Sequence, residues 1–136
     1  MASAKWFTTL DLTKGYHQTK LAEESKEITA FSTPIGLFQW KVLPMGMKTS
    51  GVVFQRLVDS IVGKLRPSCV AVYIDDITIF SNSLTEHLQD VNKPLAELDG
   101  AIIKANLNKC SFCKEEVLVL GTLSLKRAYL QTLKRL

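Results

Sequence analysis

The chain has 136 residues, 46% of them hydrophobic, and a net charge of +4 with a pI of about 9.0. That length suits one domain with a real core, and the composition excludes a disordered chain. No apolar run approaches a membrane span and the first residues lack the shape of a signal peptide, so neither a membrane protein nor a secreted one is expected.

The basic residues are scattered, so the mild positive charge is compatible with nucleic acid without pointing to it. In chain order, Trp6 to Leu12 reads as a strand with one acid, Asp11. Gly15-Tyr16-His17-Gln18 breaks it, and an extended segment restarts through Leu21. Residues 22–27 read as one solvated helical turn. The β-branched and aromatic run 28–33 is a strand, 34–36 turns, and 37–43 is its hairpin partner. After the loop Leu43-Pro44-Met45-Gly46, Thr49 or Ser50 can cap a helix. Val53, Leu57, Ile61 and Leu65 form its apolar stripe, widened by Phe54, Val58 and Val62, and Pro67 ends it. A strand, a turn and a second strand fill residues 70–80.

Ser83-Leu84-Thr85-Glu86 is a capping box and opens a second helix. Leu84, Leu88, Val91, Leu95 and Leu98 supply its expected buried face, Pro94 predicts a break near residue 93, and Gly100 closes it. Residues 117–123 read as a last strand, and 126–136 as a basic, helix-compatible tail. The fold class is therefore α+β, an antiparallel sheet backed by the helices of residues 50–66 and 84–99. Three cysteines, Cys69, Cys110 and Cys113, with no secretory signal point to a reducing compartment. Cys110 and Cys113 have the spacing of half a zinc site, but no second pair exists, so structural thiols are the better reading.

The chemistry concentrates in Tyr73-Ile74-Asp75-Asp76, between two apolar strands. Adjacent carboxylates at the junction of buried strands repel each other and resist desolvation. A divalent cation would relieve both costs, because hard cations take carboxylate oxygens. A surface turn, where Asp is common, explains the same four residues equally well.

A strand ending in Asp11, then Gly15-Tyr16-His17-Gln18, then Leu43-Pro44-Met45-Gly46, then Tyr73-Ile74-Asp75-Asp76, is an ordered series. It resembles the palm of a reverse transcriptase, most closely those of gypsy-type LTR retrotransposons and their retroviral relatives. The resemblance covers nearly the whole chain. It implies a palm with a ferredoxin-like antiparallel sheet and part of the fingers over residues 1–125, with 126–136 outside the match. It also implies RNA-directed DNA polymerisation, with Asp11, Asp75 and Asp76 as catalytic residues holding two magnesium ions, or manganese as their substitute. Leu12, Tyr16, Met45, Gly46 and Lys109 would bind the nucleotide, and Leu120 and Gly121 would grip the primer end. Tyr16 would lie under the incoming sugar and exclude a 2′-hydroxyl. Lys109 would serve near the pyrophosphate as a general acid; a plain surface lysine accounts for it as well. His17 is given no chemistry.

The implied partners are an RNA or DNA template-primer, a deoxynucleoside triphosphate and the rest of a Pol polyprotein, namely fingers, thumb and RNase H. The implied setting is intracellular, in the cytoplasm or a virus-like particle. The pattern also has departures. Gly51 stands where the family has proline, Ile102 replaces a turn glycine, Thr122 replaces a histidine, and Pro94 interrupts a palm helix. The upstream fingers segment and the thumb are expected to be missing. The competing expectation is a catalytically inert relic that keeps the palm fold and binds nucleic acid or a protein.

Overall fold

The computed structural model describes residues 4–66, 68–119 and 123–124. In chain order the elements are β1 (Trp6–Asp11), α1 (Glu23–Lys26), β2 (Phe31–Thr33), β3 (Gly36–Phe38) and α2 (Ser50–Val62). There follow β4 (Val70–Tyr73), β5 (Asp76–Ser81), α3 (Leu84–Gly100), β6 (Ser111–Lys114), β7 (Leu118–Val119) and β8 (Leu123–Ser124). Strands β4, β5, β1 and β6 pair in that order, antiparallel throughout. With α2 and α3 as the crossovers, this is the β-α-β-β-α-β arrangement of a ferredoxin-like palm. Residues 12–49 are an insertion between the first strand and its helix.

The two-residue period of a strand sorts the side chains of the sheet onto two faces. Thr8 and Leu10 of β1 lie opposite Ile79 and Ile77 of β5. Leu10, Ile77 and Ile79 pack with Phe54, Val58 and Val62 of α2 and with Val91 and Leu98 of α3 in the main core. Phe7 lies opposite Phe80, and these two form a smaller cluster with Ala4 and Val117 on the other face. Asp11, opposite Asp76, shares the parity of Phe7 and Phe80. The same alternation that builds the core thus turns both acids away from the helices.

Several expectations are corrected. The apolar stripe of α2 centres on Phe54, Val58 and Val62, while Val53 is exposed. On α3, Leu84 and Leu88 are exposed, and His87 and Asp90 take the buried places beside Val91 and Leu98. Helix α3 runs through Pro94 with no break near residue 93, and the proline itself is fully buried. Packing of its ring offsets the backbone bond it cannot make. Gly15 to Gln18 coil into a 3-10 turn, and extended pairing returns only at Lys20, opposite Val42. The β2–β3 hairpin is shorter than its apolar run. Where one strand is expected over 117–123, the described residues hold two, β7 and β8, which pair with each other. Of the capping box, the Ser83 half forms as expected, and the Glu86 half reaches one residue further back. Ser83 Oγ accepts from the Glu86 N–H, and the Glu86 carboxylate reaches back to the Asn82 N–H.

Candidate active site

Asp11 ends β1 and Asp76 begins β5, and the two are direct cross-strand partners. Such pairs place Cβ atoms about 5 Å apart, and like charges there are destabilising. Asp75 sits in the two-residue turn between β4 and β5, and its backbone carbonyl accepts from the Leu12 N–H at 3.3 Å. Three carboxylates from two segments of chain therefore share one end of the sheet. Burial, then the charges of Asp76 and Asp11, pushes the Asp75 carboxyl above the usual range. Burial, then Asp11, does the same to Asp76, and Lys109 opposes both shifts. The buried Oδ1 of Asp75 meets no hydrogen-bond donor among the described residues.

An orphaned carboxylate oxygen inside mutual anionic repulsion is the environment a hard divalent cation would relieve. The donor set, three carboxylates, fits magnesium or manganese. Among the described residues, no three ligating side chains are already gathered closely enough to form a metal cage. Among the described residues, the cation paired with these acids is Lys109, whose Nζ lies 3.9 Å from Asp11 Oδ2 on a largely exposed side chain.

The surrounding turns follow from local chemistry. A two-residue hairpin turn requires positive φ at its first position, which glycine or asparagine usually supplies. Here Ile74 adopts it, at φ 51°. Tyr16 packs on Phe54 with ring centroids 5.2 Å apart. Its hydroxyl is held above its ordinary pKa by burial and then by the Asp75 charge, so the ring sits between the core and the acids. Gly15 is a steric necessity: a Cβ there would lie 2.5 Å from Phe54 Cζ. His17 stacks on Trp40 at 5.8 Å, a structural contact.

Gln18 has a role that the sequence did not disclose. Its amide donates to the carbonyls of Thr13 and Lys104 and accepts from the Lys104 N–H. With the Asn106 N–H donating to the Asp11 carbonyl, this clamp holds the loop carrying Lys109 against the end of β1. Its only signal in the sequence was membership of the Gly-Tyr-His-Gln run. Met45 and Gly46 lie on the loop before α2, which Ser50 Oγ ties down by donating to the Pro44 carbonyl at 2.7 Å. Gly46 has φ 87° with open space around it, so its backbone conformation demands glycine. The Leu12 side chain is buried in the main core, leaving its backbone to face the site. Leu120 and Gly121 lie outside the described residues.

A second polar group lies behind the sheet, away from the acids. His87 is fully buried, with Nε2 2.8 Å from Thr8 Oγ1 and Nδ1 3.0 Å from Ser81 Oγ. Ser81 donates to Asp90, which also pairs with Lys93. Serine stands between histidine and aspartate here, and all three are buried, so this is a structural network and not a nucleophilic triad.

Comparison with known proteins shows a family and a fold. The family model described as reverse transcriptase (RNA-dependent DNA polymerase) matches residues 1–123. The chain is 41% identical over 121 residues to the retrovirus-related Pol polyprotein from transposon 297 of Drosophila melanogaster, covering 89% of the chain and 11% of the polyprotein. It is 37% identical over 121 residues to that from transposon gypsy of the same organism, covering 89% and 12%. The foamy viral protease-reverse transcriptase in complex with an RNA/DNA hybrid superposes with a TM-score of 0.81 at 30% identity, over 90% of this chain and 16% of that one. The foamy viral protease-reverse transcriptase dRH in complex with double-stranded DNA gives 0.82 at 28% identity, over 92% of this chain and 22% of that one. The chain thus spans about a tenth of these curated polyproteins.

Proposed function

We propose, since the chain belongs to the reverse transcriptase family, that it is the palm of an RNA-directed DNA polymerase joining deoxynucleotides to a primer 3′-hydroxyl on an RNA or DNA template. The observation that carries this reading is the register that sets Asp11 against Asp76, with the unpartnered Asp75 oxygen at the adjoining turn. Asp11, Asp75 and Asp76 would hold two magnesium ions, or manganese in their place, which supply activation of the hydroxyl and stabilisation of the leaving pyrophosphate. Tyr16, backed by Phe54, would bear on the incoming sugar and exclude a 2′-hydroxyl. Met45, Gly46 and the backbone of Leu12 would shape the nucleotide pocket. Lys109, held beside Asp11, would balance negative charge and give a proton to the leaving group. Leu120 and Gly121 would bear on the primer end.

The nucleic-acid duplexes in the foamy viral structures support a template-primer as partner. The polyprotein relatives support assembly with fingers, thumb and RNase H inside the cell. The test is primer extension on a primed RNA template with magnesium, using wild type and Asp75→Asn. Extension by wild type alone supports the reading. Extension by neither, from folded protein, means that the chain is at best a part of a polymerase and moves the inert-relic reading to first place.

A further inference from the structure

The strained turn that presents Asp75 is held from outside the sheet. Strand β4 is an edge strand, so the groups on its outer side have no partner strand. Two of them flank Tyr73, the Val72 carbonyl and the Ile74 N–H. Gln55 Oε1, from the middle of α2, accepts from the Ile74 N–H at 2.5 Å. Gln55 Nε2 donates to Asp59 Oδ1, one helical turn on, at 3.2 Å. The same oxygen receives Arg66 Nη1 at 3.1 Å. Arg66 Nη2 completes the circuit by donating to the Val72 carbonyl at 2.6 Å.

Each link constrains the next. Asp59 accepts only, so it fixes which end of the Gln55 amide faces Ile74. Arg66 uses its planar fork to span a carboxylate and a carbonyl, which a lysine cannot reproduce. Ile74 is β-branched and at positive φ, a conformation that persists only where its surroundings over-determine it. Asp59 and Arg66 are both over a third exposed, so their ion pair adds little to global stability. A bond network this specific and this weak in stability is suited to holding a position.

We propose that Gln55, Asp59 and Arg66 are positioning residues, a brace that keeps Ile74 left-handed and so aims the Asp75 carboxylate at Asp11 and Asp76. The role of the aimed carboxylate as a cation ligand rests on the polymerase reading; the brace itself does not.

The experiment measures two things on the chain alone, the hydrogen-exchange rate of the Ile74 amide and the affinity for manganese, with Asp75→Asn marking the manganese bound at the acids. Gln55→Met removes both amide bonds, and Arg66→Lys removes the fork while keeping the charge. The expected result in both variants is Ile74 exchange at least tenfold faster and manganese binding about tenfold weaker, with little change in Tm. Gln55→Glu keeps an acceptor for the Ile74 N–H but repels Asp59, and should show the same changes in smaller measure. Adding Asp59→Asn restores a donor to residue 55 and an acceptor for Arg66, and should restore both readouts. Unchanged Ile74 exchange in Gln55→Met, or in Arg66→Lys should Gln55→Met fail to fold, overturns the brace. If wild type and Asp75→Asn bind manganese equally, the metal reading fails, and the exchange and rescue results still decide the brace.

Discussion

Two residues carry costs that substitution can relieve. Helix α3 ends at Gly100, yet the left-handed position that follows a helix falls two residues later, on Ile102 at φ 60°. The side chain there is 80% exposed, so no packing offsets the strain. Ile102→Gly is expected to raise unfolding free energy by about 1 kcal/mol in urea denaturation; a neutral or lower value would refute the strain. Asp75 carries an electrostatic cost instead, from burial and from the neighbouring charges of Asp76 and Asp11. Its folded pKa is raised, so its contribution is favourable below the unfolded value and is lost as pH rises through the folded one. In chelator, wild type should therefore lose stability on going from acid toward neutral pH through this group. Asp75→Asn should flatten that loss and melt higher at pH 7, and magnesium should raise the Tm of wild type only. A lower Tm for Asp75→Asn in chelator would show that the carboxylate is already compensated.

At the scale of elements, long-range packing decides what periodicity only suggests. The apolar spacing of α2 revealed a helix and its approximate face. It could not say that Phe54 would be central, because that follows from the approach of Gly15 across the insertion. Gly15→Ala is expected to cost about 1–3 kcal/mol by overpacking. Combining it with Phe54→Leu should recover part of the loss, and a double-mutant cycle with no coupling would refute the contact. The buried network on α3 was less legible still. Leucines at helical spacing looked like the core face, whereas Thr8 and Ser81 on the sheet demanded hydrogen-bond partners and drew His87 and Asp90 inward.

Burial holds His87 below its ordinary pKa, although the Asp90 charge opposes that shift. Its contribution is then present above the unfolded value, about 6.5, and is lost as pH falls through the folded one. Denaturation at pH 7.5 and 5.5 should show wild type weakening on acidification, and His87→Asn should lack that component. Equal slopes would mean that His87 protonates without breaking its bonds. The acids were legible as an ordered motif, and their register follows from strand alternation. The Gln18 clamp and the Gln55 brace were not legible, because a polar side chain that reaches backbone elsewhere leaves no periodic trace.

Across the whole molecule, stability is unevenly spread. The four-stranded sheet and its two helices share one continuous core. The β2–β3 hairpin instead rests on a small aromatic group, with Phe31 about 6 Å from both Phe38 and Trp40, and leaves Ile35 and Leu37 largely exposed. Few buried contacts and solvent-facing backbone bonds mark a segment that opens locally. The strands that carry Asp11 and Asp76 should open only when the whole domain does, since β5 is paired on both sides and buried along nearly its full length. Native-state hydrogen exchange should therefore separate two classes. Amides of residues 31–38 should exchange with little dependence on denaturant. Those of β1 and β5 should exchange with the free energy and denaturant slope of global unfolding. Limited proteolysis should nick first near Pro34-Ile35-Gly36 and leave the sheet folded. If the hairpin and the sheet exchange together, the hairpin is held by contacts stronger than this aromatic group, and the acids and the insertion form one cooperative unit.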